Sequence, residues 1–346
     1  MSRLKKVWSE IKYWFFILLF LGLLFEMVAS MMLYRKYTTG KLAILHFTKE
    51  LFKNDDAHAT SNFTYEPWMM FRIADYHSQR INVNGFERNS SPAQFINSSS
   101  KDTVDIYFFG GSSMFGVSLA DAETIPSQFV KIVQKNNSVK SIRVRNFGVP
   151  HYYSKQELVL LSSLIFSGNK PDIAVFLDGM EDFYSGRMLY YDRPYYSYAL
   201  QQAFDGKMFQ KGGARFIDTT AQLSELPAGI DPSEYNDDLY SKFVANLKNL
   251  SMLCDRAGVK SYFFCQPVPF YKYSARDAAL QGDFSRFNSI YPMLEKNADS
   301  IRNFFFLGNM LQNENAAAFA NGLNYSPAFS EKIAAALYDT LKTDLQ

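Results

Sequence analysis

The sequence predicts an α/β protein in which helices cover both faces of a central parallel sheet. Short apolar runs of five or six residues alternate along the chain with stretches of helical periodicity. Several of these runs end in glycine or Asp-Gly, as buried strands often do where they leave a sheet. Strands separated by helices of this length are typical of βαβ units, whose strands lie parallel. The expected architecture is therefore an α/β/α sandwich.

The elements can be placed in order along the second part of the chain. The expected strands are Val104–Phe109, Ile142–Phe147, Ile173–Leu177, Tyr262–Cys265 and Asn303–Leu307. The expected helices are Ile125–Val133, Gln156–Phe166, Leu239–Leu253, Phe284–Asn297 and Phe329–Leu345. Ligands of parallel sheets bind beyond the carboxyl ends of the strands. We therefore expect the functional site at Gly110–Ser113, Phe147–His151, Asp178–Asp182 and Gln266–Pro269.

The N-terminal region predicts a membrane anchor. From Trp14 to Leu33 the chain is apolar with one charge, Glu26, and twenty helical residues span about 30 Å of hydrocarbon. A signal peptide cleaved near Val28-Ala29-Ser30 is the alternative. Four basic residues lie on each side of the run, so charge does not set the orientation. Because long domains translocate regardless of charge, we expect a single-pass membrane protein with most of its chain extracytoplasmic.

Four regions follow from these patterns. They are a basic tail (1–12), the anchor (13–34), a membrane-proximal connector (35–100), and an α/β domain (101–346) with an aromatic insertion at about 183–233. The whole chain has a net charge of +2, and the basic tail contributes +3 of it, so the remainder is nearly neutral. A nucleic-acid binder would need a clustered basic face. Nucleic acid is therefore not an expected partner.

Two cysteines are too few for a disulfide scaffold or a zinc site. Whether Cys254 and Cys265 pair is open. No phosphate loop follows the glycines at Gly110-Gly111, since no Gly-Lys-Ser/Thr is present there. Neither a metal nor another cofactor is expected.

Five short motifs occur in a specific order. They are INVNGFER (81–88), FFGGSSMFG (108–116), NFGVPHYYSKQEL (146–158), PDIAVFLDGMEDF (171–183) and NGLNYSPAFSEKIA (321–334). In combination, over roughly residues 66–345, the sequence resembles the SGNH (GDSL-type) hydrolase superfamily, in particular its membrane-anchored bacterial branch. The resemblance implies an SGNH-hydrolase or flavodoxin-like sandwich that cleaves or transfers acyl esters through a serine nucleophile.

The resemblance also assigns roles to individual positions. Ser112 falls on the nucleophile, and its backbone N–H and that of Gly148 fall on two oxyanion donors. The third donor is normally an asparagine, and here the position holds Glu181. The usual catalytic aspartate and histidine are replaced by Asn321 and Asn324.

These replacements are chemically adverse. Asn324 cannot accept a proton at neutral pH, and Asn321 has no charge to stabilise an imidazolium. An ionised Glu181 would repel the negative charge that develops in the transition state; only a protonated one could donate a hydrogen bond there. The other histidines precede residue 78, so His151 is the only candidate for a relocated base; an ordinary loop histidine is the alternative.

By this resemblance we expect an envelope protein of the bacterial inner membrane that faces the periplasm or the exterior. Its ancestral task would be removing or transferring O-acetyl groups on glycans, and we expect its ester chemistry to be lost or greatly reduced. Its expected partners are an acylated glycan or an envelope assembly partner. Tyr195 and Tyr196 in the aromatic insertion are candidate sugar-stacking residues, although lid packing explains them equally well. The alternatives are an active serine esterase or O-acetyltransferase using Ser112 with His151, and a purely structural scaffold.

Overall fold

The computed structural model describes residues 13–14, 62–100, 102–136, 139–185, 232–273, 285–314, 318–320 and 323–346. The chain divides into two compact units, Met1–Lys49 and Glu50–Gln346. Nearly all of the predicted anchor and most of the aromatic insertion lie outside the described residues. Among the helices that are described, none combines the length and the apolar character needed to cross a bilayer.

The centre of the described unit is a parallel sheet of five strands. These strands are β7 (Thr103–Gly110), β8 (Ser141–Asn146), β9 (Ile173–Asp178), β10 (Lys260–Cys265) and β11 (Phe304–Phe306). Their order in the sheet is β11-β10-β9-β7-β8. The α-helices are α1 (Ser112–Phe115), α2 (Ile125–Lys135), α3 (Ser154–Phe166), α4 (Met180–Ser185), α5 (Pro232–Ala257), α6 (Ser285–Lys296) and α7 (Pro327–Leu341). The expected mixed α/β class with a mostly parallel sheet is confirmed.

The core lies on both faces of this sheet. Successive side chains of a strand point to opposite faces, and in β7 both sets are buried. Ile106 and Phe108 pack with residues of α2 and α7, whereas Tyr107 and Phe109 pack with residues of α3, α5 and α6. A strand that is buried on both sides reads as a continuous apolar run. The sandwich is thus encoded by the same runs that predict the strands.

Each of the five expected strands and five expected helices is present, with shifted ends. The largest shift is in α5, which begins at Pro232 rather than at Leu239. Its first two turns, PSEYNDD, are mostly polar and so carry no apolar periodicity. Proline is also well tolerated in the first turn of a helix. The apolar pattern therefore detects only the part of α5 that packs on the sheet.

Residues 62–100, expected to be a connector without clear periodicity, contain six short strands. They are β1 (Phe63–Glu66), β2 (Met70–Ile73), β3 (Tyr76–His77), β4 (Asn82–Asn84), β5 (Glu87–Arg88) and β6 (Gln94–Phe95). β1 and β2 form a separate hairpin, β3 to β5 extend the main sheet beyond β8, and β6 also pairs with β8. Strands of two to four residues are too short to show an alternating pattern.

Arg88 fastens this antiparallel extension to the loop after α1. Its side chain is completely buried. Nη1 donates to the carbonyl oxygens of Phe115 and Gly116, at 2.9 and 2.7 Å, and Nη2 donates to that of Leu119. Nε donates to Oδ1 of Asp121 at 3.2 Å. The residues after the serine turn are therefore held in place by a charged group from the N-terminal strands.

Candidate functional site

The loops that follow four parallel strands meet around a cavity of about 230 Å³. Its lining includes one or more residues from each of the four predicted strand ends, together with residues that precede α7. The lining residues are Ser112, Ser113, Val117, Pro150, His151, Met180, Glu181, Gln266, Leu323 and Asn324. The structure thus brings together Ser112, His151, Glu181 and Asn324, which lie far apart in the sequence. The edge of the sheet where they meet is the one expected.

Ser112 is the first residue of α1, directly after the glycines that end β7. Its Oγ donates a hydrogen bond to Oε1 of Glu181, at 2.7 Å. Gly111 makes this contact possible, because a Cβ at residue 111 would lie 2.5 Å from Cγ of Glu181 and 2.9 Å from the carbonyl oxygen of Tyr152. The serine and the carboxylate therefore form a close pair that a larger residue before the serine would disrupt.

Glu181 is the second residue of α4 and is 9% exposed. Further inside, Glu157 of α3 and Asp178 at the end of β9 are buried. Burial raises the pKa of both carboxyl groups well above the usual range, and neighbouring acids, Asp182 among them, raise it further. If both groups were ionised, three of their four oxygens would have no hydrogen-bond donor among the described residues. With one shared proton, Glu157 and Asp178 hydrogen-bond to each other.

Asp182 differs from these two acids because it has donors. The Oγ of Ser154 donates to Oδ1 of Asp182, and the backbone N–H of Ser154 approaches the same oxygen at 3.3 Å. Nδ2 of Asn246 in turn donates to Oγ of Ser154 at 3.0 Å. Asp182 therefore has hydrogen-bond donors that both oxygens of Glu157 and Oδ2 of Asp178 lack among the described residues.

Gly148 is packed against the backbone of α1. A Cβ at this residue would lie 2.4 Å from the nitrogen of Phe115. The N–H of Gly148 donates to Oδ1 of Asn146 at 2.9 Å, and Nδ2 of Asn146 donates to the carbonyl oxygen of Met114 at 3.0 Å. The N–H that the resemblance assigns to an oxyanion is thus engaged within its own loop, and Gly148 does not line the cavity.

His151 and Asn324 both line the cavity. His151 has a left-handed backbone, with φ of 68°, and its ring centroid lies 5.9 Å from that of Phe63. Asn324 is 9% exposed, and its carbonyl oxygen accepts a hydrogen bond from the N–H of Ala320. Asn321 lies outside the described residues, and so do Tyr195 and Tyr196. Their predicted roles stay predictions.

The described residues include potential metal ligands and the two cysteines. No group of three or more histidines, cysteines or acids in those residues is arranged to hold a metal ion. The cysteines do not pair: Cys254 in α5 and Cys265 in β10 are both free and buried. Burial raises the pKa of the Cys254 thiol to about 12 and that of Cys265 further still. Neither thiol is therefore a reactive thiolate at neutral pH.

Two residues of this region were not anticipated from the sequence. Gln266 lines the cavity from the end of β10, a strand end that was expected but from which no residue was chosen. Glu157 lies among the acids behind the cavity. It precedes Leu160 and Leu161 by three and four residues, which places an acid on the apolar face of a predicted helix. That misplaced charge was a signal for a buried carboxyl group.

No family model and no curated protein matches the sequence. Among solved structures, similarity is found to TesA, with 13% identity, 69% of this chain and 98% of that chain covered, and a TM-score of 0.42. A variant of Axe2, an acetyl xylan esterase from Geobacillus stearothermophilus, is 16% identical over 70% of this chain and 95% of its own, with a TM-score of 0.41. A putative lipolytic protein of the G-D-S-L family from Desulfitobacterium hafniense DCB-2 is 13% identical over 69% and 99%, with a TM-score of 0.39.

The last of these neighbours carries the name of the G-D-S-L family, whose motifs the sequence resembles. At TM-scores below 0.5 these neighbours assign no activity, substrate or residue role to this chain. The functional argument therefore rests on the chain's own residues.

Proposed function

We propose that this chain is a membrane-anchored SGNH-hydrolase-like protein of the cell envelope that binds an acylated glycan at the Ser112 cavity without turning it over at an enzymatic rate. The observation that carries the proposal is the 2.7 Å hydrogen bond from Oγ of Ser112 to Oε1 of Glu181. In this proposal, the predicted anchor at residues 13–34 holds the protein at the membrane with most of the chain outside the cytoplasm.

The Ser112–Glu181 pair opposes ester cleavage through its charge. Attack by serine on an ester turns the carbonyl oxygen into an oxyanion, which needs hydrogen-bond donors close to the nucleophile. An ionised Glu181 offers only acceptors, and its negative charge raises the energy of that oxyanion. The N–H of Gly148 is engaged by Asn146, so a second expected donor is also committed.

The histidine base that the resemblance expects is also replaced. Asn324 lines the cavity at the position where the resemblance expects the histidine base. An amide does not accept a proton at neutral pH, so it cannot generate the alkoxide. The cavity itself is retained, however, with apolar residues such as Met180 and Leu323 beside hydrogen-bonding groups. A small apolar pocket with a few convergent polar groups is a typical ligand site, and an acetyl group fits its size.

The experiment that tests this proposal is labelling of the full chain, in detergent, with a fluorophosphonate probe that reacts with activated serines. We expect the wild type to remain unlabelled. The triple variant Glu181→Asn/Asn321→Asp/Asn324→His restores the usual groups, and we expect it to be labelled. The same triple variant with Ser112→Ala is the matched control and should lose the label.

Labelling of the wild type that disappears in Ser112→Ala would contradict the proposal. A folded triple variant that stays unlabelled would instead count against the positions assigned to these residues or indicate a cavity closed to the probe. Thermal unfolding of each variant shows whether it is folded.

An active serine esterase or O-acetyltransferase is the second candidate, and one observation favours it. His151 lines the same cavity as Ser112 and adopts a left-handed backbone that is uncommon for a non-glycine residue. Such conformations concentrate at functional sites. If the wild type is labelled, His151→Gln and Glu181→Gln identify the proton acceptor, because labelling should fall in the variant that lacks it.

A further inference from the structure

The β1–β2 hairpin displays two large aromatic side chains to solvent. Trp68 at its tip is 87% exposed and Tyr65 in β1 is 63% exposed. The tip is a γ-turn, in which the N–H of Met69 donates to the carbonyl oxygen of Pro67 at 2.9 Å across Trp68, whose φ is 70°. A γ-turn with positive φ is rare and strained. The backbone therefore adopts an unfavourable conformation and still leaves an indole ring in water, a combination expected of a binding surface.

The hairpin is held firmly by buried hydrogen bonds from the region that follows His151. Oη of Tyr152 donates to the carbonyl oxygen of Phe71, and Nε2 of Gln156 donates to that of Met69 at 2.9 Å. The rings of Phe71 and Tyr152 also meet edge to face, with their centroids 5.3 Å apart. Because the backbone beside the tip is anchored in this way, Trp68 is presented by a rigid element.

The hairpin is continuous with the mouth of the cavity. The ring of Phe63 in β1 contacts that of His151, which lines the cavity. Residues two apart in a strand share a face, so Tyr65 lies on the same face of β1 as Phe63. At about 3.3 Å per residue, Tyr65 lies about 7 Å from Phe63 along the strand and Trp68 roughly 16 Å from it at most. Two exposed aromatic side chains therefore lie within about 16 Å of Phe63, a distance that a few sugar units span.

The size of the cavity explains why such a surface is needed. A volume of about 230 Å³ accommodates an acyl group but not the chain that bears it. The rest of a polymeric ligand must lie outside, along the protein surface. Tyrosine and tryptophan provide large contact areas at little cost in side-chain entropy, and their flat faces suit the apolar C–H faces of sugar rings.

We infer that Tyr65 and Trp68 form a glycan-binding surface, continuous with the Ser112 cavity, that binds the sugar units next to the acylated one. This inference rests on the proposed function, since it takes the ligand of the cavity to be an acylated glycan. It adds the residues that hold the glycan chain.

The test uses Trp68 as its own probe. The chain has three tryptophans, Trp8, Trp14 and Trp68, so Trp8→Phe/Trp14→Phe leaves a single indole. The full chain in a detergent without a sugar headgroup is titrated with O-acetylated xylo-oligosaccharides, unacetylated xylo-oligosaccharides and chito-oligosaccharides. We expect a saturable change in Trp68 emission with at least one of them. In the background with all three native tryptophans, calorimetric titration should show binding at least tenfold weaker in Trp68→Ala and in Tyr65→Ala.

Phe166→Ala is the matched control, because Phe166 is 85% exposed at the end of α3, outside the hairpin. Binding equally affected in Phe166→Ala, or no saturable response to any of the three saccharides, would overturn the inference. A response of Trp68 to phosphatidylcholine–phosphatidylglycerol vesicles alone would also overturn it, and would indicate a membrane contact instead. If Trp68→Ala weakens binding while Glu181→Ala and Leu323→Ala do not, the surface stands and the cavity is not the acyl site.

Discussion

Two buried polar clusters flank the turn that carries Ser112, and they are stabilised very differently. On one side, Arg88 is surrounded by acceptors: three carbonyl oxygens and the carboxylate of Asp121. On the other side, the pKa values of Glu157 and Asp178 are raised by burial and by further acids. In the first cluster the guanidinium group donates to four oxygen acceptors, whereas in the second cluster carboxyl groups are buried beside other carboxyl groups.

This difference distinguishes the cluster that stabilises the fold from the cluster that lies near the candidate functional site. A buried charge whose hydrogen bonds are all made holds a structure in one conformation. Buried acids that must share a proton cost stability, and proteins retain such arrangements mainly where function needs them. The Arg88 cluster fixes the loop after α1, while the acidic cluster lies within electrostatic reach of Glu181, which lines the cavity. We expect substitutions in the first cluster to destabilise the protein and substitutions in the second to stabilise it.

The largest effect is expected for Arg88→Ala. This change leaves the carboxylate of Asp121 and three carbonyl oxygens without the donors they have in the wild type. Breaking a buried ion pair by removing one partner costs about 3–5 kcal/mol. We expect a decrease of that size in the free energy of unfolding, measured by urea denaturation of the full chain in detergent.

Arg143→Ala is the control for this change. Arg143 makes an ion pair with Asp105, but its side chain is 56% exposed, and exposed pairs contribute about 0–1 kcal/mol. A loss below about 1 kcal/mol for Arg88→Ala would show that the N-terminal strands are not a necessary part of the domain.

A stabilising effect is expected for Glu157→Gln at alkaline pH. A carboxyl group whose folded pKa is raised binds its proton more tightly in the folded state than in the unfolded state. Stability therefore decreases as the pH rises above the unfolded value of about 4.3, until the folded pKa is passed. The amide of a glutamine donates to Asp178 permanently and does not titrate. We expect about 1–2 kcal/mol of added stability at pH 8 and less at pH 5, from thermal unfolding at both values.

Glu295→Gln is a control of opposite sign. The side chains of Asn309, Lys272 and Tyr271 donate to the Glu295 carboxylate and lower its pKa. Its stabilising contribution is present above the unfolded pKa and is lost as the pH falls through the folded value. Glu295→Gln should therefore reduce stability at pH 8, and the reduction should disappear in acid. If Glu157→Gln also reduced stability at pH 8, the ionised Glu157 carboxylate would be stabilised in the folded protein, contrary to this prediction.

The residues that meet at the cavity can be predicted from the sequence, whereas the contacts of the two buried polar clusters cannot. The strands of the sheet are visible because runs such as Ile173–Leu177 are buried on both faces. Ser112, His151, Glu181 and Asn324 were expected near one another because they follow strand ends or precede the last helix. Neither the pairing of Ser112 with Glu181 nor the partner of the Gly148 N–H could be predicted in this way. Those contacts depend on side-chain rotamers and on close backbone approaches, which a pattern of residue types does not specify.

The smallest effect is expected for Glu181→Gln. Asp178 and Asp182 raise the pKa of Glu157 more than Glu181 does. Glu181 also lines the cavity. A glutamine oxygen can still accept the hydrogen of Ser112. Because Glu181 lines the cavity and the hydrogen bond is kept, we expect a change in the free energy of unfolding below about 0.5 kcal/mol. The measurement is thermal unfolding at pH 8 beside Glu157→Gln. Stabilisation as large as that of Glu157→Gln would mean that Glu181 belongs energetically to the buried acids rather than to the cavity, and a ligand would then have to bind against a charge that water does not screen.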